Sequence, residues 1–456
     1  MRDFKGQKIL ILGLGQFPQG SGISAAVFFA RQGLAVRATD QKTARELGAN
    51  VQRLKKYKNV KLILGRHQLE DIRWADVIVR NPRVRPNSPE MKLASRLGKQ
   101  ITSDISIFMQ ACPCQVIGVT GTRGKSTTTA LIGEMLKKSG RRVWVGGNIL
   151  VSPLTFLSQV KPGDVCVLEL SSWQLETTGL AGLAPHIAVI TNIMRDHLNS
   201  YEGMDDYAEA KAQIFRHQQP DDILILNADN AYCRSLAQEA PSQVLFFSKP
   251  RPNSRELEIG YPQASKPVKI IARQHLKLLG QHNEMNVLAA ALAARTAGAS
   301  LSAIKKVARN FKGLENRLET IKTARGIRFV NDTTSTTPDA TIAALKALSP
   351  AAKRIHLLAG GADKELEFDG LAKEIKRHKA SLTVFQGTAF KKFSKELKKA
   401  RVPFLTVSSM QQALDYHLEN AKAGDCILLS PGCASFGLFK NEFDRGEQFK
   451  TLVSKV

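Results

Sequence analysis

The segment QVIGVTGTRGKSTTTALIGEMLKKSG, residues 115–140, constrains the fold more than any other stretch of the chain. QVIGVT is a short β-branched run and predicts a buried strand. In the part that follows, Leu131 pairs with Met135 and Ile132 with Leu136 at i,i+4 spacing. Gly140 then stands where a helix stop belongs, so a helix is predicted. The glycines between the two lie at a helix N-terminus, where converging N–H groups and the helix dipole favour an anion. Lys125 adds a full positive charge for terminal phosphates, and Ser126 or Thr127 a hydroxyl for Mg²⁺. The standard phosphate loop has four residues between its glycines. Here five separate Gly118 from Gly124, with Gly121 dividing them. Strand, loop, Lys-Ser and helix coincide, so a polyphosphate nucleotide, ATP, is the expected ligand. Gly118, Gly121, Thr122, Arg123, Gly124, Lys125, Ser126 and Thr127 are its expected contacts.

At 456 residues the chain has room for three domains of about 150 residues. No apolar run reaches the ~18 residues of a membrane span. The N-terminal MRDFKGQKILILGLG enters a strand directly, without the pattern of a secretory signal, so a cytoplasmic location is expected. The six cysteines are scattered, and Cys112-Pro113-Cys114 is not a usual zinc spacing, so they are read as reduced structural thiols. The net charge of +26 raises the possibility of nucleic acid. Its lysines, however, are dispersed over segments such as RLKKYKNVK and AFKKFSKELKKAR, with no aromatic RNA-binding signature. A solvated basic surface is preferred, no nucleic-acid partner is expected, and a basic P-loop ATPase acting on nucleic acid is the rival from another class.

The chain reads as α/β throughout. KILILGLGQFPQGSGISAAVFFARQGLAVRATD is strand, glycine loop, helix and strand, ending at Asp40; its glycines favour an anion at a helix start without specifying NAD. This Rossmann-like unit is placed at 1–112. A central P-loop ATPase-like domain with a parallel sheet is placed at 113–312. RVWVGGN, DVCVLELSS and HIAVITNI put Asn148, Glu169, Ser171 and Asn192 at the carboxyl ends of its strands, where ligands gather in open parallel sheets. A C-terminal Rossmann-like α/β domain is placed at 313–456, from IRFVNDTTST, RIHLLAGGADKE, SLTVFQGT and CILLSPGCASFG. The turn-rich FSKPRPNSRELEIGYPQASKP is expected to carry surface strands.

GTRGKST, ELSSWQLE, TNIMRDHLNSY with YAEAKAQIF, GQHNEMN, GLENRLE, LLAGGADK and LLSPGCASFGLFKNEFDRGEQF follow one another along nearly the whole length. In this order they resemble the Mur ligases of peptidoglycan synthesis, and among them the branch that adds glutamate. The resemblance implies a monomeric ATP- and Mg²⁺-dependent ligase with UDP-N-acetylmuramoyl-L-alanine and glutamate as partners. It implies an acyl phosphate formed on the substrate carboxylate, attack by the glutamate amine, and domain closure that excludes water.

By the same resemblance Lys125, Glu169, His197 and Lys211 are catalytic, and Ser126, Glu169, His197 and a carbamylated Lys211 surround metal. Read from AKAQIF alone, Lys211 is a surface lysine, and His197 alone would be a core or capping histidine. Asn283, Asn286, Arg317 and Asp332 are implied ATP contacts. Gly15 in the Gly13–Ser24 loop, Asp40, Gln41 and Asn81 are implied for the nucleotide-sugar end, with Asn148 and Ser171 towards the muramoyl-alanine. Thr336, Lys364, Ser435 and Phe436 are implied for glutamate, although a lysine in a turn such as GGADKE is equally a solvated one. The pattern departs at Thr334, where many D-glutamate-adding members carry lysine, at Glu442 and at Leu150. An L-glutamate-adding variant is therefore the alternative.

Overall fold

The computed structural model describes residues 4–196, 200–251, 253–260 and 266–456. Strands β1 (Lys8–Leu12), β2 (Ala35–Asp40), β3 (Val60–Leu64), β4 (Val77–Arg80) and β5 (Gln100–Thr102) form a parallel sheet in the order β3-β2-β1-β4-β5. Strands β6 (Gln115–Thr120), β7 (Val143–Gly147), β8 (Val165–Glu169), β9 (Ile187–Ile190), β10 (Ile223–Asn227) and β11 (Gln243–Phe247) form a second, in the order β11-β10-β9-β6-β8-β7. All its pairings are parallel. Such sheets are covered on both faces by helices, so their strands read as apolar runs rather than alternations. Accordingly, all of VCVLE in β8 and IAVI in β9 is buried. The turn-rich segment contributes to an antiparallel pair, β12 (Glu256–Ile259) with β13 (Val268–Ala272). Leu257 and Ile259 of this pair are buried, so it is not purely a surface feature.

Strands β14 (Glu319–Ala324), β15 (Ile327–Asn331), β16 (Ile355–Gly360), β17 (Ser381–Phe385), β18 (Leu405–Val407) and β19 (Cys426–Leu429) make the third sheet, in the order β14-β15-β19-β16-β17-β18. Its body is parallel, as a Rossmann-like domain requires. The edge strand β14 runs antiparallel to β15 because Arg325 and Gly326 form a tight turn, both at positive φ.

The chain divides into two compact units. One comprises Met1–His275 and Met285–Arg309, the other Leu276–Glu284 and Asn310–Val456. In the first, a single apolar core runs through both sheets, from Phe4, Phe29 and Phe108 to Phe156, Tyr207 and Phe215. Each such ring contributes about 1.5–3 kcal/mol by leaving water. Polar ties accompany it. The buried Asp104 carboxylate accepts from Ser21 and Ser152 hydroxyls, both at 2.6 Å. Buried Arg80, at the end of β4, donates to the Trp173 carbonyl and to Glu176.

Candidate active site

The loop after β6 leads into the helix Lys125–Lys138, whose cap residue Gly124 has a left-handed backbone and no capping side chain. The first amides of that helix are therefore not answered by a side-chain cap, as in phosphate-binding loops. Glycine is required twice here. At Gly121, with φ 141°, a Cβ would collide with Thr191 Oγ1; at Gly124, with φ 87°, it would collide with Asn286 Oδ1. Gly118 lies instead inside β6, where a Cβ would press on Pro185 and Leu170 at 2.8 and 3.0 Å. It packs within the strand predicted from QVIGVT, ahead of the loop proper.

Asn192, after β9, holds the loop's shape. Its Oδ1 accepts from the Arg123 amide at 2.9 Å and its Nδ2 donates to the Arg123 carbonyl at 3.1 Å. Thr191 Oγ1 donates to the same carbonyl at 2.6 Å, and the Arg123 guanidinium reaches Asp196 at 3.5 Å. The buried Thr122 hydroxyl meets Tyr207. Asn286, in the helix Gln281–Thr296, accepts from Thr128. Asn283 in the same helix donates to the Leu279 carbonyl at 2.8 Å.

Two lysines converge on this loop. Lys125 Nζ folds back onto the Gly121 and Thr122 carbonyls at 2.8 and 3.1 Å. Lys211, in the helix Met204–Ala212, donates to the same Gly121 carbonyl at 3.2 Å and packs over the Tyr207 ring. Only 2% of Lys211 is exposed, so the surface-lysine reading fails. Burial, and then the Lys125 charge, depress its ammonium well below the usual lysine range, which favours a neutral, nucleophilic amine.

Glu169 ends β8 beside this loop and is buried. One carboxylate oxygen accepts from Asn148 Nδ2 at 3.0 Å; the other is buried with no hydrogen-bond partner. An orphaned buried carboxylate oxygen beside a glycine loop fits a hard divalent cation such as Mg²⁺, which takes oxygen ligands. Gly147, at φ 102°, lets the chain pass close enough for the Asn148 amide to donate to the Glu169 carbonyl at 2.8 Å. Ser126 opens the adjoining helix. Ser171 is committed to capping the helix Ser172–Leu180 in a reciprocal box with Gln174, so its side chain serves the helix first. His197 lies outside the described residues.

A cleft of about 720 Å³ connects this region to the first sheet. Gly15, Asp40, Gln41, Asn81 and Asn148 all line it. Asp40 accepts from the Gly15 and Lys42 amides at 2.8 and 2.9 Å, and Asn81 Nδ2 donates to the Gly13 carbonyl at 3.0 Å. These two therefore shape the glycine loop as well as face the cleft. Lys42, Arg83 and Arg85 also line it. They are cations suited to a diphosphate, and a sequence reading by motif passed over them because no motif marks them.

In the second unit the expected residues occupy loops leaving the carboxyl ends of β15, β16 and β19. Asp332 is buried: it accepts from the Leu318 amide and from the Ser335 and Ser430 hydroxyls at 3.1, 2.6 and 2.8 Å. Burial pushes its carboxyl up to about 6 despite those donors. Arg317 is exposed on the preceding segment, and Thr336 is half-buried beyond Asp332. Ala362 and Ala434 exchange backbone hydrogen bonds at 2.8 and 3.1 Å. This bridge brings the loop of exposed Lys364 against that of Ser435 and Phe436, the first buried and the second exposed. Arg445 was not foreseen. It is fully buried, donating to the Thr333 hydroxyl and carbonyl at 3.0 and 2.8 Å and to the Cys433 carbonyl at 3.3 Å. Thr334 turns its hydroxyl back to the Asn316 carbonyl at 2.8 Å.

Known proteins are similar to this chain along its length. Residues 7–103 match the family model described as Mur ligase MurD-like, N-terminal domain. Residues 119–294 match the Mur ligase middle domain, and 316–433 the Mur ligase, glutamate ligase domain. The UDP-N-acetylmuramoylalanine--D-glutamate ligase of a Roseiflexus species is 39% identical, the match covering 98% of each chain. That of Borreliella afzelii is 37% identical over 100% of this chain and 99% of its own. The same fold appears in MurF from Acinetobacter baumannii, at a TM-score of 0.64 and 18% identity over 98% of this chain and 93% of that one. It appears also in the UDP-N-acetylmuramate-alanine ligase MurC from Thermotoga maritima, at a TM-score of 0.62 and 18% identity over 98% and 99%. With three family models in order along its length and relatives 37–39% identical over nearly all of both chains, the chain belongs to the Mur ligase family.

Proposed function

We propose that this chain is the ATP-dependent ligase that joins D-glutamate to UDP-N-acetylmuramoyl-L-alanine in peptidoglycan precursor synthesis, acting as a cytoplasmic monomer. The observation that carries this reading is the meeting, at one glycine loop, of Lys125, buried Lys211 and the orphaned Glu169 oxygen, with Asn148 linking Glu169 to the cleft of the first sheet. Residues 1–112 are assigned to the nucleotide sugar, 113–312 to ATP and 313–456 to glutamate.

The alanyl carboxylate attacks the γ-phosphorus of ATP. The bond to the β,γ-bridging oxygen breaks, ADP leaves, and an acyl phosphate remains. The glutamate amine then attacks that carbonyl, its proton departs, phosphate leaves, and the amide forms. Two anions must approach in the first step, so Lys125 and the amides of Gly124 to Ser126 lower its barrier by neutralising charge. Mg²⁺ held by Glu169, Ser126 and a carbamylated Lys211 would add Lewis-acid charge neutralisation at the phosphates. Carbamylation suits Lys211 because a buried neutral amine can add to carbon dioxide, losing a proton, and the product puts an anionic oxygen group beside the Lys125 charge that disfavours an ammonium there. Among the described residues no helix is long and apolar enough to cross a membrane.

Incubation with UDP-N-acetylmuramoyl-L-alanine, ATP, Mg²⁺ and each glutamate enantiomer tests the proposal. Amide product with D-glutamate is expected. Amide product with neither enantiomer would refute the activity. Predominant L-glutamate incorporation would support the second reading, which is raised by Thr334 standing where many D-glutamate-adding ligases carry lysine.

A further inference from the structure

At the opposite end of the central sheet, three sulfurs meet. Cys112 follows the helix Asp104–Ala111, Cys114 immediately precedes β6, and Cys166 lies in β8, paired with Val116 across the ladder. Their Sγ atoms are 3.5 Å (Cys112–Cys114), 3.5 Å (Cys114–Cys166) and 3.8 Å (Cys112–Cys166) apart. All three cysteines are free thiols. A tetrahedral ion with metal–sulfur bonds of about 2.3 Å sets its sulfurs ~3.8 Å apart. The triangle therefore already has nearly the dimensions of one tetrahedral face. It is the one cluster of at least three His, Cys, Asp or Glu ligand atoms suited to a metal among the described residues.

The sequence spacing of Cys112 and Cys114 argued against zinc because the third ligand comes from a strand about fifty residues away, placed by the β6–β8 pairing. A cleft of about 740 Å³ opens beside the cluster, lined also by Arg141, Asp164 and His186. His186 Nδ1 accepts from the Val116 amide at 3.1 Å, so in the neutral ring the proton sits on Nε2 and neither nitrogen is left as a ligand. Cys112 is half-buried at the edge of this cleft, which leaves the fourth position of a metal to solvent.

We propose that Cys112, Cys114 and Cys166 bind one zinc ion as thiolates, releasing their three protons, with solvent as fourth ligand. Soft thiolates select such an ion over the hard Mg²⁺ of the ligation site. Bound there, it ties the segment that joins the first two sheets to β8. The cluster lies at the amino ends of the strands, away from the phosphate loop, so the ion acts on stability and not on ligation.

Reduced, metal-free full-length protein titrated with Co²⁺ tests this. One equivalent should give a sulfur-to-cobalt charge-transfer band and intense tetrahedral visible bands, displaced by one equivalent of Zn²⁺ that also raises the melting temperature. The double variant Cys112→Ser/Cys114→Ser, which changes the two outer ligands and leaves the fully buried Cys166, should lose both responses and keep wild-type ligase activity. Absence of the charge-transfer band in the wild type would overturn the proposal, as would its persistence in the double variant.

Discussion

Two glycine loops in the first unit use one device for different ends. Each follows the first strand in its sheet's sequence and runs into a helix whose cap residue is glycine with no capping side chain, Gly20 before Ser21–Arg31 and Gly124 before Lys125–Lys138. In the first loop an internal carboxylate, Asp40, takes the Gly15 amide. In the second, a lysine is folded over the loop's own carbonyls and a second lysine is buried beneath it. In the first loop that amide is already answered by the protein's own carboxylate, and cations such as Lys42 and Arg83 stand along the cleft instead. The second gathers positive charge, which suits it to an anion. A shared strand–loop–helix pattern therefore says little about what binds; the charge placed around it decides.

Changes to the second loop should cost most. Lys125→Ala should lower the rate of ligation by on the order of 10³-fold, as removal of a donor aimed at developing charge does, with little change in melting temperature. Wild-type turnover by the folded variant would erase the distinction between the loops. Lys211→Ala should lower it by about 10²-fold, the scale on which groups that orient a metal act. Added short-chain carboxylic acids should restore part of that activity by replacing the missing anionic group. Full activity without additive would leave Lys211 a buried packing residue.

The backbone offers a finer comparison. An alanine at Gly121 meets both positive-φ strain and the Thr191 hydroxyl, whereas at Gly15 the nearest new contact is Asn81 Nδ2 at an ordinary 3.5 Å. Strain of about 1–3 kcal/mol is common to both, and overpacking adds about 1–3 kcal/mol at Gly121 alone. Denaturant unfolding should rank Gly121→Ala as the less stable; the reverse order would show that the first loop is the tighter one.

Buried ionisable groups near the two loops should titrate in opposite senses. Burial raises the Asp104 carboxyl from 3.8, so it favours folding fully below that value and loses the contribution as pH rises through its folded pKa. Lys211, lowered from 10.5, is protonated in the unfolded chain and neutral in the folded one, so stability rises with pH between its folded value and 10.5. In bicarbonate-free buffer, wild type minus Asp104→Asn should fall with pH and wild type minus Lys211→Met should rise. Equal slopes would mean that one of the two is solvated. The smallest effect is expected at Asn81, whose alanine variant should raise KM for the nucleotide sugar about tenfold, the order of one or two lost hydrogen bonds, and leave KM for ATP unchanged.

The second loop was legible in sequence because lysine, hydroxyls and glycines lie within a few consecutive residues, and the parallel sheets because their strands are unbroken apolar runs. The burial of Lys211 was not legible. AKAQIF has the composition of a surface turn of helix, and only tertiary packing against Tyr207 and Gly121 removes it from water. Gly118 belongs to the predicted QVIGVT strand, and counting it with the loop glycines came from the spacing of the standard phosphate loop. The burial of Arg445 and the meeting of Cys166 with Cys112 and Cys114 were not legible for a common reason: the partners are distant in sequence and are brought in by strand pairing or by loops from separate strands.

The central claim is that the second loop transfers phosphate to the substrate's carboxylate. Heavy-oxygen label in the alanyl carboxylate of UDP-N-acetylmuramoyl-L-alanine tests it directly, with the released phosphate analysed by mass spectrometry after ligation to D-glutamate. Activation through an acyl phosphate predicts one labelled oxygen in each phosphate released. Amide formed with unlabelled phosphate would contradict it, because the phosphoryl group would then never have been bonded to that carboxylate.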